Sequence, residues 1–483
     1  MNTKESISVR SYPGRPSGTL LRQLGVASAT ALVVSNMIGT GIFGTTGYLA
    51  GQLGSPQLIL WIWAVGGVCA LAGAISYSEL AVNFPSSGGE YVYLTEAYGP
   101  TWGFMTGWIS FFAGFSAPIA AAALVFADYI GYFDPWFKQQ NAVHMFGSGS
   151  WDFRAGGAQV LASSLIAVFT VLNCIGVKRT AQVQNVLTGA KVFIIVAFLV
   201  FGFAFGAGNW ANFSTPIVHR TTSIPIFSQF FVSLFYIYVS YSGWNAATYV
   251  AEEIRQPART LPLSLAFGTA LVAALFVALN ILYIYAMPLQ QMAPAADRIV
   301  VAIGSVAASH LFGPAIAGVF SFAMALGLMA TVNAMVTVGP RVYYAMARNG
   351  AFFSVAAKVD PTWRTPVIAI VCQGVCSILM TFTPFINLLM YIGITLNFSA
   401  VMSVSSLLIF RRRSGWRCLK AVSFLYPLIP LFFIIVGIWI TLFALKEKPF
   451  VSLAAIVTVA TGALVYHWRI APVGPRREPP VLH

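Results

Sequence analysis

Twelve apolar runs of about the length that a helix needs to cross a bilayer follow one another along most of this 483-residue chain. Charged residues make up only 8% of the sequence, and the mean hydropathy is +0.79. The sequence therefore predicts an all-α polytopic membrane protein. The predicted spans are 26–53, 58–83, 100–133, 157–176, 184–207, 228–251, 261–287, 313–347, 366–384, 387–410, 421–445 and 449–468.

Polar segments flank a single predicted transmembrane domain. We expect an N-terminal tail at 1–24, the transmembrane domain at 25–470 and a C-terminal tail at 471–483. The first apolar run is too long for a signal-peptide core, and no small-residue cleavage site follows it. The loops between the runs are too short for a separate soluble domain.

The net charge of +14 is explained by the positive-inside rule. With a cytoplasmic N-terminus and twelve spans, 20 of the 27 Lys and Arg residues fall on the inner side and 6 on the outer side. The remaining one, Lys191, lies within a span. The sequence thus predicts a multi-pass protein of the cell (inner) membrane with both termini cytoplasmic. No nucleic-acid partner is needed to explain the charge.

Two spans are interrupted near their centres by small and polar residues. The first contains Ile38-Gly39-Thr40-Gly41, and the sixth contains Ser240-Tyr241-Ser242-Gly243-Trp244-Asn245. Such residues allow helices to pack closely, or they break a helix so that freed N–H and C=O groups bind a small charged ligand. Interruptions in corresponding positions of two halves favour the second interpretation and predict that spans 1 and 6 are broken around a binding site.

Lys191 is the one basic residue well inside a span, where a charge is costly and is usually functional. The ammonium group either supplies positive charge to buried oxygens, in place of a structural cation, or snorkels to the inner surface. Thr331 and Asn333 in the eighth span either face Lys191 or form hydrogen bonds between helices. Asn245 either binds substrate or caps a half-helix. Trp244, Tyr238 and Tyr241 either form a gate or pack against neighbouring helices.

The remaining polar residues favour no catalytic chemistry. Glu79 and Asp128 lie near span ends and are expected to be solvated, and the segment from Tyr91 to Tyr98 predicts a short surface helix. The segment Glu252–Pro257 is expected to form a cytoplasmic salt-bridge latch. The five cysteines lie in apolar runs or near the inner side, so we expect no structural disulfide. We predict no metal site, no cofactor and no enzymatic activity.

Several motifs together resemble the amino acid–polyamine–organocation transporter superfamily, and within it the L-type amino acid transporters and their bacterial relatives. The motif Gly39-Thr40-Gly41-Ile42-Phe43 matches the family's G-[ST]-G-I-F. Further matches are Pro85 to Tyr91, Gly243-Trp244-Asn245, and Glu252-Glu253 through Pro257 and Pro262. The resemblance covers about Gly25 to Trp468. It implies the LeuT-type fold, with a 5+5 inverted repeat of spans followed by two trailing helices.

The resemblance also implies roles for individual residues. Backbone N–H groups around Thr40 and Gly41 would bind the substrate carboxylate. Carbonyl groups near Met37, Ile38, Val239 and Ser242 would hold its ammonium group. Gly39, Gly243 and Asn245 would also belong to the substrate site. Lys191 would stand where sodium-coupled relatives bind an ion, with Thr331 and Asn333 matching a [ST]-x-N pattern. The family's aromatic gate position is Val239 here, and the glycine before [ST]-x-N is Ala330.

These observations predict a sodium-independent amino acid transporter that works by alternating access, as an exchanger or a proton-coupled symporter. No acidic residue falls obviously in the pocket, which favours neutral substrates over the alternative of a cationic amino acid or polyamine carrier. A membrane-embedded amino acid sensor of the same fold is the alternative from a different class. The loop between spans 3 and 4 lacks a cysteine, so no disulfide-linked heavy subunit is expected as a partner beside substrate and lipid bilayer.

Overall fold

The computed structural model describes residues 22, 24–85, 88–147, 152–175, 177–216, 220–293, 300–348, 350–363 and 365–470. The predicted tails at 1–24 and 471–483 lie almost entirely outside these residues. Helices dominate, as a chain with little access to water requires, because a helix satisfies its own backbone groups. The first eight α-helices in chain order are α1 (Val26–Met37), α2 (Thr40–Gly44), α3 (Thr46–Leu53), α4 (Pro56–Asn83), α5 (Glu90–Tyr98), α6 (Pro100–Ile109), α7 (Ala117–Ile130) and α8 (Gly157–Ile175).

The later α-helices include both long and short elements. They are α9 (Val177–Phe205), α10 (Ile226–Ser240), α11 (Pro257–Ala286), α12 (Leu289–Met292), α13 (Ile303–Phe312), α14 (Pro314–Arg348), α15 (Val367–Met380), α16 (Phe385–Phe410), α17 (Lys420–Ser423), α18 (Leu428–Glu447) and α19 (Pro449–Val465). A π-helical segment, Ser110–Ser116, joins α6 to α7, and another, Tyr466–Ile470, follows α19. Short 3₁₀ helices lie at Pro135–Phe137, Gln139–Asn141, Trp210–Ser214, Ala246–Glu253 and Ser354–Ala357.

Two short strands form the one sheet in the described residues. Strand β1 (Val143–Phe146) pairs antiparallel with β2 (Phe153–Ala155) in the connection between α7 and α8. Arg154 N also donates to the carbonyl oxygen of Phe382, 2.9 Å away. This bond ties the hairpin to the segment between α15 and α16. The sequence predicted only an irregular loop here.

The predicted membrane character is confirmed. Within the described ranges, nine helical segments are long and apolar enough to cross a membrane. They are Val26–Gly44, Pro56–Asn83, Pro100–Ile130, Gly157–Ile175, Pro257–Ala286, Pro314–Arg348, Phe385–Phe410, Leu428–Glu447 and Pro449–Ile470. Shorter apolar helices at Gly189–Phe205, Ile226–Ser240 and Val367–Met380 coincide with the other predicted spans. Large apolar side chains such as Phe193 and Val319 are more than 70% exposed, as expected where lipid replaces water.

Some predicted boundaries are wrong. The span expected at 421–445 begins only at Leu428, because Pro427 precedes the helix and a separate short helix occupies Lys420–Ser423. The helix expected on the surface at Tyr91–Tyr98 begins at Glu90, and its Val92, Tyr93 and Leu94 are buried. The helix therefore packs into the protein. A further helix, α13, was not predicted, since its ten residues are too few to resemble a span.

Two acidic residues expected to be solvated are buried. Asp128 is 7% exposed, and its carboxylate accepts from the backbone N–H of Gln139 at 3.0 Å. Glu79 is fully buried in α4 and binds the Arg411 guanidinium through both of its oxygens, at 2.6 and 2.5 Å. Trp416 Nε1 and the backbone N–H of Leu419 donate to the same carboxylate, at 2.8 and 3.0 Å. The Glu79 pair thus fastens the segment after α16 to the end of α4.

We expect Arg411→Ala to lower the free energy of unfolding by about 3–5 kcal/mol, because it leaves the Glu79 carboxylate buried without its cation. Thermal unfolding of the purified protein in detergent measures this change. Arg412→Ala is the matched control, since Arg412 is the next basic residue and is exposed. Equal apparent Tm values for the two variants would contradict the assigned role of the ion pair.

Candidate functional site

The helix of the first span stops where the sequence predicted an interruption. Helix α1 ends at Met37, Ile38 has an extended conformation with ψ 91°, and Gly39 is extended with φ −133° and ψ −151°. Helix α2 then starts at Thr40, and Thr45 connects it to α3. The non-helical backbone at Ile38 and Gly39 leaves carbonyl and amide groups that need other partners.

The sixth span also changes conformation part-way. Helix α10 ends at Ser240, a turn follows, and the chain continues as the 3₁₀ helix Ala246–Glu253. Gly243 has φ +97°, a left-handed conformation that favours glycine. A Cβ atom there would lie 2.8 Å from the carbonyl oxygen of Asn36. The turn of the sixth span thus packs directly on the last turn of α1.

The two interrupted segments meet a second time at Gly41. A Cβ atom on Gly41 would lie 2.3 Å from the Cα atom of Ser240. Gly41 is therefore required for the contact between α2 and α10, whatever else its N–H group does. Gly39 differs, because a Cβ atom there would have Thr331 Cγ2 as its nearest neighbour, at 3.9 Å. The space beside Gly39 is open enough to accept a small group.

Lys191 reaches the interruption of the first span. Its side chain is 3% exposed, and Nζ donates to the carbonyl oxygens of Ser35 at 3.0 Å and Ile38 at 2.7 Å. The lysine therefore does not snorkel to the surface. Its ammonium group donates to carbonyl groups that the end of α1 leaves without helical partners. Ile38 O, expected from the resemblance to hold a substrate ammonium, is bound to Lys191 in this conformation.

Thr331 and Asn333 take different positions on α14. The Thr331 hydroxyl donates to the carbonyl oxygen of Gly327 at 3.4 Å, and its methyl group faces Gly39. Asn333 is fully buried, and its Oδ1 accepts from Asn173 Nδ2 at 3.2 Å. Asn173 Oδ1 in turn accepts from Thr337 at 2.7 Å. Thr331 thus lies by the interruption, whereas Asn333 joins α14 to α8. Sequence reasoning missed Asn173, which is one of many polar residues near a span end.

The remaining predicted residues of the first and sixth spans are held by local contacts. Met37 is 1% exposed and Thr40 is 9% exposed. The carbonyl oxygen of Val239 accepts from the backbone N–H of Ser242 at 3.0 Å and from its hydroxyl at 2.7 Å. Asn245 is turned away from Gly39, since its Nδ2 donates to Glu90 Oε1 at 2.5 Å and to the Tyr249 hydroxyl at 3.2 Å.

Glu90 is the functional candidate that sequence reasoning missed. The residue is 7% exposed at the start of α5, and its carboxylate is surrounded by Tyr77, Asn245 and Tyr249. Burial raises the pKa of this carboxyl above its usual value, although hydrogen bonds from Tyr249, the backbone, Tyr77 and Asn245 partly oppose the shift. Glu90 thus contacts one of the predicted site residues, Asn245. The motif Gly88-Gly89-Glu90 is recognisable in the sequence. The sequence does not show that Glu90 is buried, because contact residues such as Asn245 lie far away in the chain.

The aromatic residues around the sixth span pack against other helices. The Tyr241 hydroxyl donates to the carbonyl oxygen of Trp63 at 2.8 Å. The Trp244 ring lies edge-on to the Tyr77 ring, with 4.7 Å between centroids. Together with Tyr238, both line a cavity of about 20 Å³ beside α4 and α18, which has room for a single water molecule. These contacts favour packing over gating for Tyr241 and Trp244.

The half of the first span after the interruption is enclosed on all sides. Every residue from Thr40 to Leu53 is buried, whereas Ala31 and Asn36 before the interruption are exposed. A Cβ atom on Gly47 would lie 2.0 Å from the carbonyl oxygen of Val300. Tyr129 links the enclosed half to α13, because its hydroxyl donates to Phe43 O at 3.2 Å and accepts from Gly304 N at 3.3 Å. The half of the first span after the interruption is thus packed within the protein, unlike the half before it.

Comparison with known proteins identifies the family. A family model described as "Amino acid permease" matches residues 24–465. The chain is 27% identical to "Large neutral amino acids transporter small subunit 2" of Mus musculus, covering 94% of this chain and 82% of that protein. It is 25% identical to "Asc-type amino acid transporter 1" of Mus musculus, covering 94% and 83%. It is 27% identical to "Serine/threonine exchanger SteT" of Bacillus subtilis (strain 168), covering 85% and 88%.

These matches extend along nearly the whole transmembrane region. They confirm the resemblance to the amino acid–polyamine–organocation superfamily that the motifs predicted. With the family model matching from residue 24 to residue 465, the chain belongs to the amino acid permease family.

Proposed function

We propose that this protein is a sodium-independent transporter of neutral amino acids, working by alternating access as an exchanger or proton-coupled symporter. The observation that carries the proposal is the Lys191 ammonium group on the carbonyl oxygens of Ser35 and Ile38. A fixed positive charge at this position removes the need for a bound sodium ion. The names of the similar proteins, which include a large neutral amino acids transporter and a serine/threonine exchanger, support the substrate class.

The packing of the helices supports a LeuT-type arrangement of twelve spans. If spans 1–5 and 6–10 form an inverted repeat, equivalent spans are 2 and 7, 3 and 8, and 4 and 9. The corresponding helix pairs, α4 with α11, α7 with α14, and α8 with α15, pack against each other. The two interrupted spans also meet, at Gly41 and Ser240. In transporters of this kind, the substrate binds near the bilayer midplane between the repeats.

The proposed substrate site lies beside Gly39. An amino acid needs hydrogen-bond donors for its carboxylate and acceptors for its ammonium group. The N–H groups at the start of α2 would supply the donors, and carbonyl groups at the turn Val239–Gly243 would supply acceptors once the local bonds to Ser242 open. Ile38 O would remain with Lys191. Asn245 would act indirectly, because its side-chain amide is engaged by Glu90.

Alternating access is supported by the asymmetry of the first span. With the N-terminus on the cytoplasmic side, as the charge distribution predicts, the enclosed half Thr40–Leu53 is the outer half. This conformation then has its outer approach closed. We propose a multi-pass cell-membrane protein that works without a disulfide-linked subunit, because the loop between spans 3 and 4 contains no cysteine.

Uptake into proteoliposomes tests the function. We expect labelled neutral amino acids to enter in sodium-free buffer, with uptake requiring unlabelled amino acid inside or an inward proton gradient. A strict requirement for sodium would overturn the proposed role of Lys191. Uptake of cationic amino acids or polyamines alone would overturn the substrate class, and specific binding without any flux would favour a sensor.

We expect Lys191→Ala to slow exchange while substrate binding persists. Removal of the ammonium group leaves two carbonyl oxygens without this donor. The resulting free-energy cost corresponds to a decrease of the exchange rate by about tenfold to a hundredfold. Exchange of labelled substrate and binding to the detergent-purified protein are measured side by side. Lys446→Ala, at an exposed lysine near the end of α18, is the control. An exchange rate like that of the unaltered protein would refute the assignment.

Gly39→Ala tests the substrate site without a clash inside the protein. The added methyl group has no protein atom nearer than Thr331 Cγ2, at 3.9 Å, so we expect unchanged thermal stability. If the substrate occupies this space, the methyl group displaces it, and the half-saturation concentration of the Gly39→Ala variant rises by about tenfold. This is the effect expected from the loss of one favourable contact. Gly25→Ala is the matched control, because the space around Gly25 is also open but lies ahead of α1. Identical half-saturation in both variants would exclude the site. Gly41 is unsuitable, since any side chain there strikes Ser240.

A further inference from the structure

The carboxyl group of Glu90 holds together three separate parts of the chain. Its Oε1 accepts from the Tyr77 hydroxyl of α4 at 3.2 Å and from Asn245 Nδ2 at 2.5 Å. Its Oε2 lies 2.5 Å from the Tyr249 hydroxyl of the 3₁₀ helix Ala246–Glu253. The carboxyl group thus connects α5 and the second span to the segment Asn245–Glu253, which follows the interruption of the sixth span.

The approach of α5 to this segment requires the glycine before Glu90. Gly89 has φ +51°, and a Cβ atom there would lie 2.8 Å from the Tyr249 ring and 3.0 Å from the Thr248 hydroxyl. A side chain at this position would push α5 and the 3₁₀ helix apart. Gly89 thus allows the backbone before α5 to approach the 3₁₀ helix closely, and the next residue, Glu90, places its carboxyl group in the buried contact.

Within the described residues, no lysine, arginine or histidine forms an ion pair with Glu90. The ionisable groups around it are tyrosines: Tyr77 from α4, Tyr93 from α5, Tyr238 from α10 and Tyr249 from the 3₁₀ helix. An unpaired carboxylate is costly to bury, whereas a neutral carboxylic acid is much less so.

The side-chain contacts of Glu90 supply no positive charge. The Tyr77 and Tyr249 hydroxyls and Asn245 Nδ2 are neutral donors to its two oxygens. Glu79 shows the contrast, since its carboxylate faces the Arg411 guanidinium and two further N–H donors.

We propose that Glu90 is a neutral acid in this conformation and a positioning residue for the segment Asn245–Glu253, which we call the inner gate. When Glu90 loses its proton, this segment is released. This inference rests on the proposed transport function. In the release step, the O–H bond of Glu90 breaks, the electron pair stays on the carboxylate, and cytoplasmic water accepts the proton. The charged carboxylate then favours a hydrated position over the buried one, so the segment separates from α4 and α5.

The pH dependence follows from linkage. Burial raises the pKa of Glu90 in the packed conformation, so this conformation binds the proton more tightly than one in which the carboxyl is hydrated. Stability contributed by the neutral acid is fully present below the carboxyl's ordinary pKa and is lost as the pH rises through the raised value. Rising pH therefore favours release of the segment.

Exchange rates of Glu90→Gln across a pH series test the proposal. We expect the maximal exchange rate of the unaltered protein to rise by about tenfold between about pH 5 and about pH 8, without a matching change in half-saturation. Glutamine is uncharged like the neutral acid and offers a carbonyl acceptor and an N–H donor, but it cannot lose a proton. Glu90→Gln should therefore exchange slowly at every pH, and Glu90→Asp should keep the pH dependence. Glu96→Gln, on the same helix, is the control.

A second measurement does not depend on flux. The apparent Tm of the unaltered protein should fall relative to that of Glu90→Gln as the pH rises above about 4.3, the ordinary value for glutamate. If Glu90→Gln does not fold, Tyr249→Phe replaces it, and a shifted midpoint of the pH profile is expected. Flux with the same pH profile in the unaltered protein and Glu90→Gln would overturn the gate proposal alone. Absence of amino acid flux at any pH would instead overturn the proposed function.

Discussion

The contact between Lys191 and the end of α1 is the interaction on which the rest of the structure depends. A helix that stops inside a membrane leaves carbonyl groups with no water to satisfy them. Here the ammonium group from α9 donates to two of these groups, at Ser35 and Ile38. In the proposed function, this ammonium group takes the place of a bound ion. The N–H groups on the other side of the interruption, at the start of α2, would then bind the substrate carboxylate.

Close backbone contacts hold the second interruption in register with the first. Gly41 against Ser240, and Gly243 against Asn36, bring the two spans together at two points that a side chain on either glycine would disrupt. Small residues in the middle of a span therefore serve close packing at Gly41 and Gly243. At Gly39, a Cβ atom would make only an ordinary contact with Thr331 Cγ2, at 3.9 Å.

Sequence reasoning succeeded where a residue is unusual for its immediate neighbourhood. Lys191 stands alone among apolar residues, and Gly39 and Gly243 interrupt apolar runs, so each was recognisable from local sequence. It failed where partners are distant in the chain. Glu79 looked solvated near a span end, but its partner Arg411 is 332 residues away. Glu90 and Asn245 are likewise 155 residues apart, and neither sequence environment indicates that they meet in a buried cluster. The segment Glu252–Pro257, for which a salt-bridge latch was expected, also takes part in backbone pairing that the sequence did not indicate.

That pairing joins the chain ahead of the first span to the end of the sixth. Leu24 N donates to Glu253 O at 3.0 Å, and Arg255 N donates to Leu24 O at 2.8 Å, as in a parallel bridge. These backbone hydrogen bonds couple the segment before α1 to the segment after the interruption of the sixth span. A displacement of the chain just before Leu24 would therefore also displace the segment that is bound to Glu90. A fluorescent probe attached there would report the motion of the sixth span as well as that of the first.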